Sequence, residues 1–287
     1  MATNIYAEPF MGTTRVIETA DGTHIKTVWA GEGDRSVLLA HGFGSSSDSW
    51  NLLAPLLVDQ GFRVIAFDQR GHGESTIGSN GVSTTSMAAD YGAVAELYDL
   101  RDAVLVGHSM GGFLALAFLL DGHPDLTNRI GSLMLLSTFA GDVSNSAPQN
   151  KLQIPMIKSG ALQKMLKLKP ARQAFTRSLV GEHYDKDMAP AFVPVFLKAN
   201  HEQLIPILEA MVEENRYGRL SELDLPTTVV IGTKDKTTPP LHSLQLHEGI
   251  AGSRIVTLIG TGHAPNWESP EKLAMLISQL AIPVASS

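Results

Sequence analysis

Several short runs in this chain are apolar at every position. Val37-Leu38-Leu39-Ala40 and Val229-Val230-Ile231 are two of them. A strand with one face in water alternates apolar and polar residues, so a run without alternation needs cover on both faces. Helices packed on both sides of a parallel sheet give that cover. Strand-like runs recur at 15–19, 24–30, 36–40, 63–67, 103–107, 132–137, 227–232 and 254–259, with helical patterns between them. Residues 88–100 carry Val94, Leu97 and Tyr98 at helical spacing, and 110–120 follow a glycine-rich turn. Residues 270–280 follow a helix-start signal, Ser269-Pro270-Glu271, with proline in the first turn and an early acid. The alternation predicts an α/β fold: a doubly wound, mostly parallel, eight-stranded sheet with right-handed crossovers.

One stretch breaks the rhythm. Residues 142–222 hold no strand-like run, only helical segments punctuated by Pro148, Pro155, Pro170, Pro190, Pro194 and Pro206. This predicts an inserted helical cap (142–222) over the end of the sheet, dividing the core into 1–141 and 223–287. A length of 287 residues accommodates such a core and insertion. The hydrophobic share of 44% and charged share of 18% fit a folded chain. The longest unbroken apolar run, 113–120, is too short to span a bilayer. Residues 1–10 show no basic region followed by an apolar stretch, so a cytoplasmic location is expected. The absence of cysteine excludes disulfides, thiolate chemistry and zinc–thiolate sites. A net charge of −7 argues against nucleic acid as a partner.

Gly107-His108-Ser109-Met110-Gly111 lies between a strand-like and a helical segment. A serine at a sharp strand-to-helix turn is pushed out over the sheet, and glycines two residues either side leave room for that turn. The helix that follows aims its first amides at the same place. Ser109 is therefore the candidate nucleophile. His263, in the loop Gly260-Thr261-Gly262-His263-Ala264-Pro265 after the last strand, is the candidate base. Asp235, in Gly232-Thr233-Lys234-Asp235 at the end of another strand, is the candidate acid that orients it. Asp142 and Asp99 are weaker candidates for that role. His201, His242 and His247 suit no common metal-ligand spacing. The loop His41-Gly42-Phe43-Gly44 ends the strand at 36–40. The Phe43 amide is a candidate oxyanion donor, with Met110 as the second.

With Asp68-Gln69-Arg70-Gly71-His72-Gly73-Glu74-Ser75 added, this ordered set resembles the α/β-hydrolase superfamily from about His24 to Leu280. The order nucleophile, acid, base matches as well. The resemblance implies a serine hydrolase with a Ser109–Asp235–His263 triad. It implies a structural turn at 68–75, a variable cap at 142–222 and no cofactor. Epoxide hydrolases and haloalkane dehalogenases of this fold carry aspartate where Ser109 stands. Epoxide hydrolases also commonly carry proline at the position of Gly44. No glycine-rich nucleotide motif and no metal cluster is present in the sequence.

Three readings follow, in this order. The first is an esterase acting on small to medium apolar carboxylic esters, lactones included. The second is a cofactor-free perhydrolase or a carbon–carbon bond hydrolase. The third is a ligand receptor on a hydrolase fold, since the Phe43-Gly44 loop with Trp50 after it resembles those of bacterial stress regulators and plant hormone receptors. The expected partner is a small-molecule ester; the sequence says nothing of oligomeric state. Pocket candidates are Trp50, Phe139, Met156, Met165, Phe175, Phe192, Phe196 and Met211. The cap also carries Lys151, Lys158, Lys164, Lys167, Lys169, Arg172 and Arg177, with no Asp or Glu from 143 to 181. That stretch reads as a solvated surface or as a positive rim over the pocket mouth.

Overall fold

The computed structural model describes residues 3–144, 147 and 149–281. Eight strands form one sheet: β1 (Thr13–Glu18), β2 (His24–Ala30), β3 (Arg35–Ala40), β4 (Phe62–Phe67), β5 (Ala103–His108), β6 (Ile130–Leu136), β7 (Thr227–Gly232) and β8 (Arg254–Leu258). Their spatial order is β1-β2-β4-β3-β5-β6-β7-β8. β2 runs antiparallel to β1 and β4, and every later pairing is parallel.

The helices are α1 (Leu53–Asp59), α2 (Thr84–Leu97), α3 (Met110–Asp121), α4 (Pro124–Thr127), α5 (Gln149–Lys158), α6 (Ala161–Met165), α7 (Lys169–Leu179), α8 (Met188–Lys198), α9 (Ile205–Glu213), α10 (Pro240–Gly249), α11 (Pro265–Glu268) and α12 (Pro270–Leu280). Alternate residues of the central strands enter opposite cores. Leu38, Ile65, Leu105 and Leu133 pack on one face with residues of α2 and α3. Val37, Leu39, Val64, Val106 and Met134 pack on the other with residues of α1 and α12. Burial on both faces is why these strands read as unbroken apolar runs. Each fully buried aliphatic side chain contributes roughly 1.5–3 kcal/mol. The edge strand β1 buries only Ile17, so its first residues carry no such signal.

Two boundaries differ from expectation for local reasons. α2 starts at Thr84, not 88, because Ser83 and Ser86 cap each other's backbone and open the helix on polar residues. It ends at Leu97, not 100, because Asp99 turns to φ 43°.

Between β6 and β7 the described residues form five helices, α5 to α9, and a 3₁₀ turn, Tyr217–Glu222. Pro170 and Pro206 occupy first turns, where a missing N–H is harmless. Pro155 and Pro194 lie inside helices. Pro148 lies outside the described residues. Phe175 of α7 packs against Phe192 and Phe196 of α8, ring centroids 6.2 and 5.3 Å away. Among the described residues no helix is long and apolar enough to cross a membrane.

Candidate active site

β5 delivers the chain to Ser109, which adopts φ 53° and ψ −121° before α3 begins. An L-residue with a side chain rarely takes positive φ, so the surroundings must hold it there. Glycines make the turn possible. A Cβ on Gly107 would stand 2.5 Å from the Gly112 Cα, and one on Gly111 would stand 2.3 Å from the Ala40 carbonyl oxygen. Thr138 Oγ1 donates to the Ser109 carbonyl at 2.6 Å.

Loops after β7 and β8 bring two further side chains to this serine. His263 Nε2 lies 3.0 Å from Ser109 Oγ, and His263 Nδ1 lies 2.9 Å from Asp235 Oδ2. A carboxylate can only accept, so Nδ1 carries the imidazole proton and Nε2 is free to accept from the serine. Asp235 is itself fixed. Its Oδ1 accepts from the amides of Thr237 and Thr238, both at 2.9 Å, and its Oδ2 accepts from Thr238 Oγ1 at 2.8 Å. Burial opposes ionisation of Asp235. The His263 imidazole and the Thr238 donors outweigh it, leaving the carboxyl below its ordinary value. Asp142 instead holds Ser144 Oγ at 3.2 Å, and Asp99 is exposed and pairs with Arg101 and Arg129.

His108 braces His263. Its Nε2 donates to the His263 carbonyl at 2.7 Å, and burial pushes its pKa down to about 3, so it stays neutral. The loop after β3 covers the serine: a Cβ on Gly42 would stand 3.1 Å from Ser109 Cβ. The amides of Phe43 and Met110 have no hydrogen-bond acceptor among the described residues. Met110 opens α3, so its amide belongs to the positive end of that helix. Residues 68–75 form a structural turn. Asp68 accepts from the Ser47 and Glu74 amides at 2.7 and 2.9 Å, and Arg70 pairs with Asp21 and Asp90.

Two cavities meet at Ser109, sharing Phe43, Ser109 and Thr237. The larger, about 120 Å³, is walled by Phe175, Phe192, Phe196, Ala264, Trp267 and His263 itself. The smaller, about 60 Å³, is walled by Phe139, Val143, Ile154, Leu208, Met211 and Thr238. Neither has a Lys, Arg, Asp or Glu side chain among its lining residues. Of the pocket candidates, Phe139, Phe175, Phe192, Phe196 and Met211 line these cavities.

Three pocket candidates do not. Trp50 is fully buried beneath the site, its ring edge-on to His108 at 6.4 Å. Met156 packs on the core and lines neither cavity. Met165 is 38% exposed, because the short α6 turns Leu162 inward instead. The reading missed Leu208 and Trp267. Leu208, Met211 and Val212 sit at i, i+3, i+4 on α9, a legible apolar stripe.

Among the described residues, none of the basic stretch lines either of these two cavities. Lys158 pairs with Glu209 at 2.6 Å, and Arg177 lies 5.3 Å from the Tyr184 ring centroid. The Lys151 side chain lies outside what is described. Among the described residues no group of three or more His, Asp or Glu could hold a metal.

The sequence profile of the alpha/beta hydrolase fold matches residues 35–270. The chain belongs to the α/β-hydrolase family. It is 30% identical over 231 residues to the non-heme chloroperoxidase CPO-A1 of Kitasatospora aureofaciens, covering 78% of this chain and 82% of that protein. It is 29% identical over 255 residues to a 2-hydroxy-6-oxononadienedioate/2-hydroxy-6-oxononatrienedioate hydrolase of Escherichia coli, covering 86% and 87%. An esterase from Exiguobacterium antarcticum superposes with a TM-score of 0.81 at 23% identity, covering 94% of this chain and 99% of the other. The names divide among three activities, so the chemistry of this α/β-hydrolase has to be argued from its own site.

Proposed function

We propose that this protein is a serine hydrolase cleaving uncharged carboxylic esters, lactones included, through an acyl-enzyme. The observation that carries the reading is the hydrogen-bonded chain Ser109 Oγ–His263 Nε2–His263 Nδ1–Asp235 Oδ2, at 3.0 and 2.9 Å, on a serine held at φ 53°. His263 takes the Ser109 proton as the oxygen attacks the ester carbonyl, and Asp235 stabilises the imidazolium. The Phe43 and Met110 amides receive the developing oxyanion. His263 then protonates the leaving alcohol, and water activated by the same histidine releases the acid. None of these steps needs a cofactor.

Residues 142–222 act as the cap, since its α5, α7, α8 and α9 supply cavity walls. The leaving oxygen must reach His263 Nε2. His263 and the residues after it wall the larger cavity, which therefore takes the alcohol, while the smaller takes the acyl group. The preferred ester pairs a compact apolar acyl group with a bulkier apolar or aromatic alcohol. The 30% identity to a chloroperoxidase favours a second reading, a cofactor-free perhydrolase, in which hydrogen peroxide replaces water at the acyl-enzyme and yields a peracid. Single-turnover release of alcohol, followed by competing water and peroxide in the second step, tests both. A first step without alcohol release contradicts both.

A further inference from the structure

Glu268 closes α11, five residues after His263. Its carboxylate gathers backbone amides from two parts of the fold. Both oxygens accept from the Gly262 amide at 3.0 Å, and Oε1 accepts from Ala264 at 3.2 Å. Gly262 and Ala264 flank His263, so one anion holds the chain on both sides of the base. Oε2 also accepts from the Gly181 amide at 2.8 Å. Gly181 belongs to the segment that follows α7, whose Phe175, Thr176 and Leu179 line the larger cavity.

The two segments lie backbone against backbone. The His263 amide donates to the Leu179 carbonyl at 2.6 Å, and the Glu182 amide to the Gly260 carbonyl at 2.7 Å. Only glycine fits at the crossing. A Cβ on Gly181 would stand 2.0 Å from the Gly260 oxygen, and one on Gly262 would stand 2.4 Å from the Gly181 nitrogen. Charge-assisted bonds from amides to a carboxylate are among the stronger hydrogen bonds, and leaving such amides without an acceptor is costly. Glu268 thus occupies a concavity made by three N–H groups, as an internal anion.

We propose that Glu268 is a positioning residue: it sets the placement of His263 and, through the same carboxylate, locks the α7 wall of the larger cavity to the loop that carries the base. The role given to His263 rests on the serine-hydrolase reading; the backbone lock does not. Misplacing a catalytic group by about 1 Å can cost on the order of 10²-fold in rate. Burial pushes Glu268 above the ordinary carboxylate range, against the pull of its amide donors and of His183 in the cap segment. The other charged groups beside this junction are Lys234 and Glu182, which pair with each other at 3.1 Å, and Asp235 behind His263.

The test compares wild type, Glu268→Gln and Glu268→Asp. In Glu268→Gln one acceptor becomes an NH₂ that faces amide donors. We expect kcat to fall roughly ten- to hundred-fold, with KM rising for an ester of a bulky alcohol but not for a methyl ester. Glu268→Asp keeps the charge and both acceptors, but it is a methylene short and recovers kcat only in part. Amide hydrogen exchange gives a readout independent of activity: Gly181, Gly262 and Ala264 lose protection together in Glu268→Gln. If Ser109→Ala keeps turnover, the hydrolase reading fails and the exchange result alone judges the lock. Retained protection at the three amides, or a folded Glu268→Gln with kcat within twofold and no difference in KM response between the two esters, overturns the proposal. Should Glu268→Gln not fold, the same limits apply to Glu268→Asp: kcat equal to wild type with full protection overturns it.

Discussion

Replacing Asp235 with asparagine keeps the shape of the side chain and changes one atom. The structure dictates which. Two amides, from Thr237 and Thr238, point at Oδ1, so the asparagine oxygen must stay there. The new NH₂ then takes the place of Oδ2, facing Thr238 Oγ1 and His263 Nδ1. Thr238 tolerates the exchange, because its hydroxyl can donate to the Ser137 carbonyl at 2.9 Å and accept from the NH₂. His263 does not. Its Nδ1 must now accept, so the ring proton moves to Nε2, which can no longer take the proton of Ser109. The loss expected for a wrong tautomer in intact geometry is about 10⁴ in kcat. At about 1.4 kcal/mol per tenfold, that raises the barrier by roughly 5 kcal/mol. The assay is kcat for a chromogenic acetate ester beside a thermal melt, with Asp142→Asn as control. The Asp142 carboxylate accepts from Ser144 Oγ at 3.2 Å and takes no part in the Ser109–His263–Asp235 hydrogen-bond chain, so its change should be within about threefold. A folded Asp235→Asn within tenfold of wild type, or an Asp142→Asn that loses more, refutes the reasoning.

Acid should weaken the fold through buried histidines. Burial is the main cause holding His72 and His108 at about 3, below the ordinary 6.5, so the folded state binds fewer protons than the unfolded chain between those values. Their contribution is complete above about pH 6.5 and is lost as pH falls towards 3, on the order of 2 kcal/mol per histidine by about pH 5. Chemical denaturation at about pH 7 and pH 5 reads this, and unchanged midpoints would contradict it. The unequal cavities predict that 2-phenylethyl acetate outruns its reversed isomer, ethyl phenylacetate, by about tenfold in kcat/KM. Met211→Ala, which enlarges the acyl side, narrows that ratio; equal rates in wild type would dismiss the assignment of the two cavities.

The sheet and the three residues at its end were legible for one reason: both depend on local pattern. A strand buried on both faces must be apolar throughout, as Val37 to Ala40 shows, and a strand's end marks the loop that carries Asp235 or His263. Ser109 was legible because only glycine at 107 and 111 permits its turn. The walls of the site were legible only in part, because they depend on which side of each helix between β6 and β7 meets the core. Met165 and Phe192 look alike in sequence, yet α6 buries Leu162 and leaves Met165 outside, while Phe192 and Phe196 share one side of α8. Trp50 resembled a pocket residue until the turn Ser47–Trp50 carried it beneath the loop. Glu268 gave no sign, since its partners are backbone amides, one of them 87 residues away.

The central claim is that Ser109 is the nucleophile of an ester hydrolase. Incubation with a fluorophosphonate, followed by peptide mass spectrometry and residual ester turnover, tests it most directly. The account predicts one adduct per chain, on Ser109, forming at the rate at which activity disappears. Ser109→Ala should stay folded, take no label and lose roughly 10⁴ or more in kcat. A label on another residue, or a Ser109→Ala that turns over esters near the wild-type rate with no wild-type carry-over, would contradict it.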